Sequence, residues 1–418
     1  MADEAQDKPG QHIEGSQINV AGDATVEQVG DRIDTRGGDY VARDKIINNY
    51  YESKTIVAAE VLQKIEELPP KKGDPPYKGL AYFTEKDKDY YFGREELSDQ
   101  LVARLQDTRF LTLIGASGSG KSSLLRAGIS PRLRQRNWQI HTVIAGPRPL
   151  MALANSLTRD DLDPQIGEKI VSALANIPDT LLNTGDKLAA RADAERLLLA
   201  VDQFEALFTQ CKNAQQQKAF IDNLVTVANA QGMTTILLSM RADFYNRISA
   251  YASLTDLVSQ QQVYVKPLSE EDLVRVIAGP AERGGWQFIE GLVETIVDDV
   301  GQEPGRLPLL SHALLETWER RKDTVMTLSG YQDAGGVAGA IAKTAEDTLQ
   351  LIGLDQEPIV KHIFLSLTEL GEGAEDTRRI ASRQELLRYA AEPDTIKEVI
   401  DTLAGARLIT VDKDEVQV

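Results

Sequence analysis

Between Tyr77 and residue 267 the chain alternates apolar runs, at 110–114, 140–145, 197–201, 234–240 and 263–265, with segments whose apolar positions recur at helical spacing. Near-continuous apolar runs of this length predict strands buried on both faces, and their alternation with helices predicts a parallel sheet covered on both sides. After "VKPLSEEDL" the period becomes helical throughout. Ser269 followed by Asp272 reads as a helix start, helices continue to about 350, and no strand is expected among them. The last stretch predicts helices at 357–370, 382–391 and 395–404, then two short strands in "ARLITVDKDEVQV". Helices followed by a terminal hairpin predict a winged-helix unit.

Upstream, "SKTIVAAEVLQKIEEL" (53–68) places Ile56, Val57, Ala59, Val61, Leu62 and Ile65 mostly on one helical face, and "PPKKGDPP" ends it. This predicts a helical connector closing near Pro76. The first fifty residues differ from everything that follows. Gly22-Asp23, Gly30-Asp31 and Gly38-Asp39 recur every eight residues, each Gly followed three positions later by Thr25, Ile33 or Val41. Gly-Asp is turn chemistry, so the segment reads either as short strands that must stack to bury anything or as a polar leader. The resulting domain map is 1–54 Gly-Asp repeat, 55–76 connector, 77–267 nucleotide-binding domain, 268–349 helical lid and 350–418 winged helix.

Composition narrows the partners. With 46 basic against 64 acidic residues, the net charge of −18 repels a phosphate backbone, so nucleic acid is not the expected partner. The single cysteine, Cys211, excludes an intrachain disulfide and fits a reducing, cytoplasmic setting. No apolar run is long enough to span a bilayer and the start lacks signal-peptide features, so no membrane partner is expected. The histidines at 12, 141, 312 and 362 have no paired spacing for zinc.

The chemistry begins at "LTLIGASGSGKSSLL", residues 111–125. An apolar strand enters Gly-x-x-x-x-Gly-Lys-Ser and leaves into a helix, expected to reach Ile129 and to be halted by Pro131. Gly115, Gly118 and Gly120 let the backbone wrap phosphate oxygens, with Ser117, Ser119 and Ser123 beside them; Lys121 gives a point charge to the β and γ phosphates and Ser122 a hydroxyl to Mg²⁺. In "LLLAVDQFEALF", Asp202 emerges from the carboxyl end of a buried strand, where it can complete the Mg²⁺ shell with Ser122. Glu205, three residues on, could polarise a water toward the γ-phosphate or serve as a helix-start charge. Arg241, ending the strand in "TTILLSMRADFY", could sense γ-phosphate charge or pair at the surface. "LSGYQ" (328–332) imitates a transporter signature but follows both Lys121 and Asp202, the wrong order. No NKxD-type element reads guanine, so adenine is the expected base.

"PYKGLAYFTEKDKDYYFGREEL", "GASGSGKSS", "VDQFEALF", "SMRADFY", "GRLPLLSHALLETW" and "YQDAGGVAGAIAKTAE" together resemble the STAND class of signal-transduction ATPases, specifically the bacterial novel STAND type 1 group, from about Tyr77 to the end. The resemblance implies a P-loop α/β domain, helical lid and winged helix closed around ADP at rest, which open, exchange ADP for ATP and oligomerise. It places Phe92, Gly93 and Arg94 near adenine and ribose, Pro308 as a lid proline on the nucleotide, and Arg378 and Arg379 as an arginine pair in the winged helix. It further suggests a role in antiviral defence or regulated cell death, with an effector recruited through residues 1–54. Two departures stand out. Gln203 replaces a second acid after Asp202, implying slow ATP hydrolysis. The sequence also stops at "DEVQV", where the family continues into a histidine-bearing segment and sensor repeats, implying a truncated chain or a separate sensor protein. Two other readings remain open at this point: a motor or DNA loader using the winged helix, and a scaffold with a structural nucleotide.

Overall fold

The computed structural model describes residues 56–57, 68–159, 164–301, 305–369, 377–379, 381–388, 393–412 and 415–417. The Gly-Asp repeat expected at 1–54 lies outside the described residues, as do 58–67 of the connector. Where the connector is described it is not helix. Ile56–Val57 form a strand, β1; β-branched neighbours of this kind suit a strand as well as one face of a helix.

Five parallel strands follow: β2 (Phe110–Gly115), β3 (Trp138–Val143), β4 (Arg196–Val201), β5 (Thr234–Arg241) and β6 (Gln262–Tyr264), in the order β3-β4-β5-β2-β6. All lie within two residues of the apolar runs that predicted them. Alternation along β4 shows how the sheet feeds two cores. Leu197, Leu199 and Val201 join Phe204, Phe220 and Leu224 on one face, whereas Leu198 and Ala200 join Leu105, Leu124 and Ile129 on the other. Helices therefore cover both faces, and the carboxyl ends of β2, β4 and β5 share one edge. There β5 lies between the other two, with Arg241 opposite Gly115.

The helix after the phosphate loop runs past Pro131. It comprises Lys121–Ser123, a π turn Leu124–Ile129 and Ser130–Arg134. The wide turn sends the Ser130 N–H to the Leu125 carbonyl, which also accepts from Ser130 Oγ at 2.8 Å, and Pro131 enters as a first-turn residue needing no donor.

Beyond residue 267 the structure is mostly helical, with Glu270–Gly284 starting on the Ser269 cap as expected. Two short strands were not anticipated, β7 (Gln287–Ile289) and β8 (Val325–Met326). They join β1 in a parallel sheet of order β1-β7-β8. Strands this short carry no legible alternation. Side chains of β7 and β8 pack with the helices Leu292–Val300 and Leu307–Glu319 in a separate core that also takes Tyr77, whose hydroxyl donates to the Ile277 carbonyl at 2.6 Å.

The strap 68–76 is fastened to this helical region. Lys71 N donates to the Asp323 carbonyl at 3.0 Å and Asp323 N to the Pro69 carbonyl at 3.2 Å. Arg321, buried against the rings of Trp318 (3.6 Å) and Trp286 (4.7 Å), donates to the Lys71 carbonyl.

The helix Gly336–Ile352 joins two cores, placing Val337 and Ala340 in the one just described and Ile341 and Ala345 against the last. That last core gathers the helices Glu357–Ser366 and Pro393–Gly405 with the strands β11 (Ala381–Ser382), β12 (Thr410–Asp412) and β13 (Glu415–Gln417), while β9 (Thr368–Glu369) and β10 (Thr377–Arg378) form a separate antiparallel pair. The sheet β11-β13-β12 is antiparallel and contains the expected terminal hairpin. The helix expected over 357–370 stops at Ser366 and gives way to β9. The one expected over 382–391 is the single turn Arg383–Leu386, capped by Ser382. No helix among the described residues is long and apolar enough to cross a membrane.

Candidate functional site

At the carboxyl edge of the sheet lies a cavity of about 320 Å³. Its polar end is the loop after β2. Gly118 (φ 69°) and Gly120 (φ 88°) take left-handed conformations that curl the backbone into a cradle of the kind that suits an anion. Ser117 through Ser123 line the space, whereas Gly115 lies behind it and contributes its carbonyl. Lys121 folds back over its own loop, donating to the carbonyls of Gly115 (2.9 Å) and Ala116 (2.7 Å) and to Ser119 Oγ (3.4 Å). Those oxygens occupy the ammonium where phosphate oxygens would compete for it. Burial pushes the Lys121 pKa down, opposed by the negative charges of Glu205 and Asp202.

Asp202 is wholly buried at the end of β4. Its Oδ1 accepts from Ser122 Oγ at 3.0 Å and from Gln203 N at 3.1 Å. Oδ2 accepts from Arg126 Nη2 at 3.3 Å and Nε at 3.4 Å. Gln203 lines the cavity with φ 54°, an uncommon conformation for a side chain of this type, at the turn that sends Phe204 N to the Ser239 carbonyl at 2.8 Å. Glu205 also lines the cavity. It is buried, which raises its pKa, and Oε2 accepts from Arg241 N at 3.2 Å. The Arg241 guanidinium reaches the cavity while held by Asp243 at 3.0 and 2.7 Å.

The apolar end draws on distant segments. Tyr82, Phe83, Tyr91 and Phe92 come from the stretch before the sheet, and Val276 and Pro280 from the helix Glu270–Gly284. Phe83 N donates to Ser123 Oγ at 3.1 Å, tying the first segment to the phosphate loop. Phe92 lies flat over Gly279, where a Cβ would stand 2.7 Å from its ring. Gly93 does not line the cavity but permits this approach. At φ 78° a Cβ on it would meet the Asp272 carbonyl at 2.8 Å. Arg94 lines the cavity and donates to the Lys266 carbonyl at 2.6 Å.

The helix Leu307–Glu319, in the region expected to be a lid, forms the remaining side of the space. Leu307, Pro308, Ser311 and Leu314 line it, and the loop before them presses on the phosphate loop. A Cβ on Gly118 would stand 2.7 Å from the Gly305 carbonyl and 3.1 Å from Pro308 Cδ.

The structure thus brings Phe92, Arg94, Ser117–Ser123, Glu205, Arg241 and Pro308 around one cavity, with Asp202 behind Ser122. Arg379 is elsewhere, donating to the Ser366 carbonyl at 2.7 Å and to Glu385, and does not line the cavity. Sequence reasoning missed Arg126. Its position four residues after Ser122, on the same helix face, was the available signal.

The profile of the family described as Novel STAND NTPase 1 matches residues 76–418, most of the chain. The chain belongs to that family. No curated protein matched in sequence. Among solved structures, the Walker-type ATPase PABY2304 of Pyrococcus abyssi is similar at 16% identity and TM-score 0.44, covering 85% of this chain and 97% of its own. The Aeropyrum pernix ORC2 protein in ADPNP-ADP complexes gives 13% and 0.43, with 78% and 89% covered. At these values neither adds to the functional argument.

The residues of this STAND NTPase fit Mg²⁺. The ion takes oxygen ligands and usually keeps waters beside one or two protein groups and the phosphates. Ser122 Oγ and Asp202 Oδ1, 3.0 Å apart, supply such a pair, and the buried carboxylate already attracts a cation. Among the described residues no cluster of three or more His, Cys, Asp or Glu forms an all-protein metal site.

Proposed function

We propose that this STAND NTPase is an adenine-nucleotide switch, closed around ADP at rest and opened by exchange for ATP with Mg²⁺, whereupon copies assemble. The observation that carries this reading is the shared cavity, walled on one side by the phosphate loop and on the other by Leu307, Pro308 and Leu314 of the lid. A nucleotide there touches both parts, so its affinity depends on whether they are together. A ligand shifts such an equilibrium only by its difference in affinity for the two states. Moving it from 1:99 to 99:1 takes about 5.5 kcal/mol. Each fully buried apolar side chain is worth about 1.5–3 kcal/mol, so two or three lid side chains on the ligand are enough.

Within this reading Lys121 leaves its loop carbonyls for the β and γ phosphates, and the loop amides complete the cradle. Ser122 and Asp202 hold Mg²⁺, which when bound neutralises charge shared by those phosphates. Glu205 orients water and Arg241 reads the γ-phosphate. Gln203, an amide where a second carboxylate would stand, keeps hydrolysis slow, suiting a latch rather than a motor. The terminal helices and β11–β13 serve as a winged helix, coupled to the lid by Gly336–Ile352. Because the strap 68–76 is fastened to the lid, lid motion is passed toward residues 1–54, whose copies, concentrated by assembly, recruit an effector. Signalling of this kind serves bacterial antiviral defence or regulated cell death.

Lys121→Ala tests the reading. It is expected to abolish ADP and ATP binding in calorimetry together with ATP-dependent assembly. Assembly that persists in the variant sinks the switch.

A further inference from the structure

Asp202 has no exposed surface, and a buried carboxylate is costly unless a positive charge accompanies it. With Mg²⁺ in place the metal supplies that charge. Here the chain supplies one of its own. Arg126 directs Nε and Nη2 at Asp202 Oδ2, 3.4 and 3.3 Å away, while Ser122 and Gln203 occupy Oδ1. Lys121, the other nearby cation, is turned to the carbonyls of Gly115 and Ala116.

Arg126 is also held from behind. Its guanidinium carbon stands 4.5 Å from the centroid of the Tyr82 ring, a cation–π geometry, and Tyr82 is part of the cavity wall. The helix carrying Arg126 is the one that starts at Lys121, so the guanidinium is one turn behind the hydroxyl of Ser122. One carboxylate is therefore shared between the metal-binding hydroxyl and a cation belonging to the chain. The distances to Oδ2 are long for a charge-assisted bond, as suits a pair that can be parted.

We propose that Arg126 is a built-in substitute for Mg²⁺: it neutralises Asp202 while a nucleoside diphosphate is bound without metal, and Mg²⁺ has to compete with it for the carboxylate. The inference rests on the nucleotide reading of the cavity. Two consequences separate it from that reading. The diphosphate is retained when divalent ions are chelated, because the carboxylate beside the phosphates is already neutralised. Metal affinity of the nucleotide complex is lowered, because entry of the ion must part Arg126 from Asp202.

The test uses the full chain and a fluorescent ADP analogue, titrated in excess EDTA and in millimolar MgCl₂. The wild type should bind about equally in both, within roughly threefold, whereas Arg126→Met should bind at least about tenfold more weakly in EDTA and recover with Mg²⁺. Arg126→Lys keeps the charge and should stay close to the wild type. Mn²⁺, followed by its electron paramagnetic resonance signal in the ADP complex, should bind Arg126→Met several-fold more tightly than the wild type. Wild-type binding that collapses in EDTA overturns the proposal without any variant, and so does an Arg126→Met protein whose ADP and Mn²⁺ affinities match the wild type. If the wild type binds no nucleotide in either buffer, the nucleotide reading falls, and this inference with it.

Discussion

The two ends of the cavity are built in opposite ways. The polar end is built mainly on one continuous stretch, residues 117–123, set by a strand buried over its whole length and by two glycines at φ 69° and 88°, with Gln203, Glu205 and Arg241 beside it. The far end is assembled from the segment around Tyr82 to Arg94, the helix Glu270–Gly284 and the lid helix Leu307–Glu319. On the proposed reading a nucleotide would meet a single sheet-edge loop at its phosphates and, at its other end, three segments that are far apart in sequence. On that reading this is a division of labour: the first end would give affinity, and the second would make that affinity depend on conformation.

The largest effect is expected from emptying the core beneath the helix Leu307–Glu319. Leu314 is 1% exposed and reaches both the lid core and the cavity. Leu314→Ala should cost about 2–5 kcal/mol of lid stability, seen as an earlier thermal transition, with phosphate-loop binding weakened rather than lost. Next comes the contact between the two ends. Gly305 sits at φ 88° and an added Cβ would lie 2.9 Å from the Ser117 carbonyl. Gly305→Val should speed release of labelled ADP by about tenfold, equivalent to some 1.4 kcal/mol, while leaving the fold intact by circular dichroism. An unchanged release rate would mean that lid and loop are not coupled through this contact.

The smallest effect sharpens the picture through pH. His312, buried in the lid, has its ring Nε2 2.9 Å from Thr344 Oγ1, with Glu316, Arg320 and Arg407 as its charged surroundings. Burial holds its pKa below the ordinary 6.5. As pH falls through about 6.5 the unfolded chain takes up a proton that the folded chain refuses, so the unfolded state binds more protons and stability drops on acidification. The loss begins near that value and ends once pH passes the folded pKa. His312→Gln should flatten this part of the stability curve; an identical slope in both proteins would remove His312 as its source.

The sheet was legible because buried parallel strands such as "LLLAV" have no polar positions to confuse their reading. The P-loop was legible because its glycines, lysine and serine are contiguous. Arg126 was not, since its partner Asp202 is distant in sequence and only the sheet order brings β4 beside the helix. The strands Ile56–Val57, Gln287–Ile289 and Val325–Met326 escaped notice because two or three residues define no period. Pro131 misled because the π turn before it removes the need for the donor that proline lacks. The lid contact at Gly305 depends on a close approach of backbones, which no side-chain pattern encodes.

The most direct test weighs the native particle before and after adding ATP and Mg²⁺, and identifies by chromatography the nucleotide released on denaturation. Stoichiometric ADP in a small particle that grows with ATP is the result predicted for a lid-closed latch. An empty cavity with steady ATP hydrolysis at constant mass would contradict it.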